Sequence, residues 1–289
     1  MTPEVPLDYP SWVRFIFGGW NNWGWVGVDL FFVLSGFLVS GLLIREYERN
    51  KSISFRLFFI RRGLKIYPAF FFFIAVYGLL EYNFTGNIGF KKVIHEIFFL
   101  QNYLGGVWNH TWTLAVEEHF YLFIGILLTF MAARYGSFHL LVKLFFVIAV
   151  LCLLGRIVLY SMGSSGFYVT HTRMDSLMFG VFICYLNHYR GKELTLFIER
   201  RSKIIVLASL LMLTPLWFTR LESSWYLNTI GLTINYVAFG AILLVMLNRS
   251  DFFRHKRFFS CSPLLEFIHI LFTYGICQQR EFYPTLGKI

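Results

Sequence analysis

The stretch Arg45–Lys65, REYERNKSISFRLFFIRRGLK, holds seven Lys/Arg against two Glu and lies between two apolar runs, Gly24–Ile44 and Ile66–Asn83. The first run is about 31 Å long as a helix, at 1.5 Å per residue, enough to cross a hydrocarbon core of roughly 30 Å. Inside lipid every backbone polar group needs a partner within the protein, so runs of this kind are helices. A basic segment between two spans stays on the cytoplasmic side. That single assignment orients everything that follows and puts Arg61, Arg62 and Lys65 at an inner mouth.

The rest of the chain repeats the pattern. Apolar runs at Trp112–Ala132, Leu140–Tyr160, Thr172–Asn187, Ile204–Thr219 and Trp225–Asn248 alternate with basic and base-poor connections. The expected fold is an all-α, polytopic transmembrane helix bundle of about seven clear spans with the N-terminus outside. Residues 1–23, with Trp12, Trp20 and Trp23, read as an extracytoplasmic interfacial segment. Residues 24–257 form the membrane domain, and 258–289 an atypical C-terminal segment interrupted by Glu266, His269, Gln278 and Arg280. Ile88–Leu104 reads as an amphipathic or re-entrant piece lying at the surface.

Composition excludes other classes. Of 289 residues, 57% are hydrophobic and 15% charged, where a soluble domain carries about a quarter charged. The net charge of +10 sits in loops beside spans, which is topology and attraction to anionic membrane lipid, not nucleic-acid binding. The four cysteines, at 152, 184, 261 and 277, make no CxxC pair, so no metal site or disulfide framework is expected.

Ionisable residues inside spans are costly and mark function. By depth, Asp29, Glu117, Glu118, His119, Arg156, His171, Arg173 and Asp175 share the outer third of the membrane. Opposite charges at one depth can pair in a bundle interior, whether for structure or for a site. On the inner side Arg61 and Lys65 are spaced i, i+4, and Arg62 and Lys65 i, i+3, so on a helix they share a face able to hold a pyrophosphate or a 3′-phosphate. Contact with lipid phosphates is the simpler use of the same residues.

Four segments carry a resemblance. Gly27–Gly36, GVDLFFVLSG, is similar to a signature of the acyltransferase-3 family of integral membrane O-acyltransferases. Phe59–Pro68, FIRRGLKIYP, resembles that family's Arg-rich segment ending in Ile-Tyr-Pro; Trp112–Leu122, WTLAVEEHFYL, resembles its Trp-Ser-Leu-x-x-Glu-x-x-Phe-Tyr motif. Arg173–Gly180, RMDSLMFG, resembles its Arg-x-Asp-x-Leu-x-x-Gly segment.

The resemblance implies transfer of an acyl group, usually acetyl, from cytosolic acyl-CoA to a hydroxyl of an extracytoplasmic carbohydrate, with acyl-CoA a co-substrate and no bound cofactor or metal. Carried over by position, Arg61, Arg62 and Lys65 face the donor and Glu117 is the functional acidic residue of its motif, the catalytic candidate. Asp29, Ser35, Trp112, Tyr121, Arg173 and Asp175 shape the site. The chain departs from the family pattern in three ways. Lys65 stands where Arg is usual, the family's general-base His in an earlier span has no counterpart ahead of His95, and about ten spans are usual. The expectation is a partial member with weak turnover. A catalytically dead member and a transporter or flippase are the alternatives.

Overall fold

A computed structural model describes residues 26–85, 89–107, 111–219 and 224–248, and every element among them is helical. These residues belong to one compact unit, Met1–Val245, apart from Met246–Asn248, which open a second, Met246–Ile289. The expected segments 1–23 and 258–289 lie outside the described residues. The elements are α1 Val26–Asn50, α2 Phe55–Thr85, α3 Phe90–Ile97, α4 Gln101–Leu104, α5 Trp112–Tyr135, α6 Leu140–Ser161, α7 Met174–Tyr189, α8 Gly191–Leu213, α9 Pro215–Phe218 and α10 Leu232–Asn248. A 3₁₀ turn, Thr170–Thr172, leads into α7, and a π-helical turn, Leu227–Gly231, into α10.

Among the described residues five helices are long and apolar enough to cross a membrane: α1, α2, α5, α6 and the run Leu227–Asn248. The other two expected spans are helical but fall short of that description. α7 has 16 residues, about 24 Å, and α8 carries Lys192, Glu193, Glu199, Arg200, Arg201 and Lys203. The basic loop expected over those residues is helix instead, because Leu194, Leu196 and Ile198 keep an apolar thread through it and Lys, Arg and Glu are good helix formers.

The basic stretch after α1 departs from expectation in the same way. Only 51–54 are non-helical. α1 ends where Lys51, at φ 53°, donates its N–H to Tyr47 O at 2.7 Å, and Ser54 N–H is held by Glu46 Oε1 at 2.9 Å. α2 then starts at Phe55 rather than Ile66. Pro68, two residues past the edge of the apolar run, is therefore interior and leaves the Leu64 carbonyl without its usual donor.

Contacts fix helix direction. Asp29 meets Arg173, Gly36 meets Leu177, Gly41 meets Cys184 and Glu48 meets His188, so α1 and α7 run parallel throughout. Phe32 on Trp112, Ser35 on Tyr121 and Tyr47 on Phe138 set α5 parallel to α1. α2 runs against α5: Phe55 and Phe58 lie on Gly125, and Tyr67 on Glu118. α6 runs against α7, with Arg156 at Asp175 and Phe145 at Phe182. α10 runs with α7, pairing Thr233 with Arg156 and Gly240 with Ile183.

α1 and α7 touch backbone to backbone. A Cβ on Gly36 would stand 1.9 Å from Leu177 O, and one on Gly180 would stand 2.1 Å from Val33 O. Small residues at a crossing let helices approach where lipid supplies no hydrophobic drive. Phe32, Val39, Leu43, Phe120, Ile124 and Leu177 fill the core around that crossing.

The surface piece between α2 and α5 is the pair α3 and α4. Its polarity is inverted: Phe90, Phe98 and Leu104 are exposed while Glu96 and Gln101 are buried, which suits a membrane interface. Glu96 Oε1 accepts from Val107 N–H at 3.0 Å and Thr111 Oγ1 at 2.9 Å. Asn102 Nδ2 donates to Trp112 O at 3.0 Å. These bonds tie the piece to the start of α5.

Candidate active site

The helix directions bring two groups of segments together, each making its own polar cluster. The first cluster joins α1, α6, α7 and α10. Arg173 Nη2 donates to Asp29 Oδ1 at 2.6 Å, and Asn235 Nδ2 donates to Asp29 Oδ2. Arg156 Nη2 donates to Asp175 Oδ2 at 2.8 Å and to Thr233 Oγ1 at 2.7 Å, while Arg156 Nη1 reaches Thr172 O at 3.3 Å. All four charges are buried. Two acids balance two bases, which is what makes burial tolerable. The Arg173 guanidinium also lies near the rings of Phe32, Trp112 and Phe167, at 5.6, 5.8 and 4.9 Å. Trp112 and Asp175 thus act on the bundle through Arg173 and Arg156.

The second cluster joins α1, α2 and α5. Arg62 lies with its guanidinium carbon 3.2 Å from the centre of the Tyr121 ring, and its Nη2 is 3.9 Å from Glu117 Oε2. Tyr121 OH donates to the same Glu117 oxygen at 2.8 Å and is hydrogen-bonded to Ser35 Oγ. Glu117 and Tyr121 are i, i+4 on α5, so one helix face carries both. Beside them, Tyr67 OH donates to Glu118 Oε2 at 3.0 Å. Glu117 Oε1, Glu118 Oε1 and Arg62 Nε have no hydrogen-bond partner among the described residues. The Arg62 side chain is 23% exposed and that of Glu117 only 5%, so the cluster opens at Arg62.

Ser35 and Tyr121 therefore connect GVDLFFVLSG to WTLAVEEHFYL, and Arg62 connects FIRRGLKIYP to the same point. The expected separation of an inner basic patch from an outer acidic group does not describe this contact. Residue counting set Arg62 at the mouth, but α2 begins seven residues before it (62 − 55 = 7), about 10 Å of helix, and the long side chain then reaches α5. The three bases also part company. Arg62 turns toward Glu117, whereas Arg61 and Lys65 are exposed.

Of the histidines expected at the outer end, His119 Nδ1 bonds Thr170 Oγ1 at 3.1 Å, and His171 stacks on Tyr103. His110 lies outside the described residues. Residue types alone did not single out Tyr67, Thr233 and Asn235. Asn235 was detectable as an amide midway along an apolar run; Tyr67 and Thr233 are unremarkable until their partners are seen.

A helical bundle with membrane-length apolar helices and a linked Arg–Glu–Tyr–Ser chain defines a membrane protein with a polar site among its helices. The family model described as "Acyltransferase domain" matches residues 3–270, and the chain belongs to that family, as its four segments led us to expect. It is 27% identical over 266 residues to the O-acetyltransferase OatA of Staphylococcus aureus strain COL, covering 85% of this chain and 44% of the relative. The OatA of strain N315 matches with the same 27% identity over 266 residues, 85% of this chain and 44% of the relative. The chain thus spans less than half the length of these curated relatives. No solved structure matches it.

Proposed function

We propose that the chain is a multi-pass O-acyltransferase of the cell membrane, moving an acetyl group from cytosolic acetyl-CoA to a hydroxyl of an extracytoplasmic carbohydrate. The observation that carries this is the Arg62–Glu117–Tyr121–Ser35 chain. It links the helix that rises from the basic stretch to the helices whose acids lie near their starts. The name of the relatives, O-acetyltransferase, supports acetyl as the group moved.

The chemistry assigns roles. The hydroxyl oxygen attacks the thioester carbonyl carbon, a C–O bond forms, the C–S bond breaks, and CoA leaves as thiolate. The hydroxyl proton needs a base. Glu117 is that base, since its Oε1 is buried and unpartnered while Oε2 is held by Tyr121. Arg62, anchored over the Tyr121 ring, offers charge to the donor and to the oxyanion that develops on the carbonyl. Arg61 and Lys65, exposed on the same helix, meet the donor's phosphates. Asp29, Arg173, Asp175 and Trp112 keep α1, α5 and α7 in register around the site.

The test is acetyl transfer to cell-surface carbohydrate in a strain lacking its own transferase. Glu117→Gln should lower transfer by about 10²–10⁴-fold, the usual contribution of a positioned base, at unchanged abundance. Full activity in Glu117→Gln removes Glu117 from the chemistry. No transfer by the unsubstituted chain rejects the reading.

A further inference from the structure

Phe99 has φ 57°, and with Lys51 is one of two non-glycine residues of positive φ among those described. It ends α3: its N–H bonds Glu96 O at 3.0 Å, and Leu100 N–H bonds His95 O at 2.7 Å. This is the left-handed helix stop that glycine ordinarily fills, because a Cβ there crowds its own backbone. The turn itself does not call for phenylalanine. The surroundings of the ring do. It stacks on Phe70 at 5.2 Å and 18°, and lies 5.9 Å from the Tyr67 ring. Its neighbours Phe98 and Leu100 are exposed.

Tyr67 is the residue whose hydroxyl holds Glu118 Oε2 at 3.0 Å. Glu118 follows Glu117 directly, is buried, and lies within electrostatic reach of Arg62. A short line of contacts therefore runs from a strained surface turn to a second carboxylate beside the Arg62–Glu117 pair.

We propose that Phe99 is a positioning residue that holds Tyr67 against Glu118, and that Tyr67 and Glu118 form the second half of the site. This rests on the acyl-transfer reading above. The segment between α2 and α5 then closes one wall of the site. The Arg62 guanidinium faces Glu117 at 3.9 Å with Glu118 in reach of its charge, and the Tyr67 hydroxyl fixes how Glu118 takes its part. Without the Phe99 ring, Tyr67 has room to swing, Glu118 loses its donor, and Arg62 is drawn away from Glu117. A ring kept at a glycine position serves this use; a purely structural stop would be better made by glycine.

Phe99→Gly separates the two roles. It relieves the turn while removing the ring, so abundance and melting temperature hold or rise. The rate at saturating acetyl-CoA should fall about tenfold, the scale of one lost charge-assisted hydrogen bond, with the half-saturating acetyl-CoA concentration unchanged. Phe99→Tyr should restore it. In a Tyr67→Phe background there is no hydroxyl to place, so Phe99→Gly should change the rate by no more than about twofold. A wild-type rate in Phe99→Gly, or an undiminished loss in the Tyr67→Phe background, overturns the proposal. If the unsubstituted chain transfers no acetyl group, the acyl-transfer reading fails, and carbodiimide labelling of Glu118, followed by mass spectrometry, decides the positioning role. Labelling about threefold faster in Phe99→Gly supports it, as a freed carboxylate should react sooner; equal labelling overturns it.

Discussion

Gly36→Ala tests whether α1 and α7 owe their register to backbone contact. The added Cβ would meet Leu177 O at 1.9 Å and Leu177 C at 2.8 Å. Ordinary nonbonded carbon contacts are about 3.5 Å, so the helices must part by roughly 1.5 Å. The Asp29–Arg173 bond, 2.6 Å long, would then open to about 4 Å, beyond hydrogen-bonding range. Overpacking of this kind costs about 1–3 kcal/mol, and a lost charge-assisted hydrogen bond adds about 1.5–3 kcal/mol. The expected destabilisation is about 3–6 kcal/mol, read as a lower melting temperature by tryptophan fluorescence of the detergent-solubilised protein. Gly180→Ala should behave alike, because its Cβ would meet Val33 O at 2.1 Å. Either substitution forces the same separation, so the double variant should cost clearly less than the sum of the two. Gly41→Ala is the control: its Cβ would find Cys184 Sγ at 3.5 Å, an ordinary contact, and should be tolerated. Unchanged melting in Gly36→Ala, or strict additivity in the double variant, would refute the argument.

Asp29→Ala leaves Arg173 buried without its carboxylate and should cost about 3–5 kcal/mol, seen as a loss of folded protein on size-exclusion chromatography. Tyr121→Phe keeps the ring under Arg62 but cuts the hydroxyl link between Ser35 and Glu117; acetyl transfer should fall about 10-fold or more at normal abundance. A Cys introduced by Ser52→Cys, in the turn after α1, should resist an impermeant thiol reagent in intact cells, since basic turns stay inside; labelling from outside would reverse the orientation.

The sequence was most legible where physics leaves few reasons for a residue to be present. A carboxylate or guanidinium in an apolar run has almost no cheap explanation, so Asp29, Glu117, Arg173 and Asp175 stood out and proved buried. Partnership was harder to read. Depth counted from the edge of an apolar run assumes that the helix starts there, and Lys and Arg do not stop helices. α2 therefore began earlier than its hydropathy showed, and Arg62, counted at the inner mouth, reached Glu117, counted in the outer third. The same error turned the first half of α8 into a loop. The glycine contacts of Gly36 and Gly180 were hidden for another reason: a close approach is a property of two segments 144 residues apart (180 − 36 = 144), and neither one records it alone.

The direction in which the helices run has an electrical consequence. α1, α5, α7 and α10 all start at the same end of the bundle. Each helix start carries about half a positive elementary charge from its aligned peptide dipoles. Asp29 lies in the first turn of α1, Asp175 in the first turn of α7, and Glu117 in the second turn of α5. The backbone alone thus makes that end favourable to negative charge before any Lys or Arg is counted. α2 runs the opposite way and brings a guanidinium into the same field. An oxyanion forming there would be received by peptide groups that are already oriented and need no rearrangement when the charge appears.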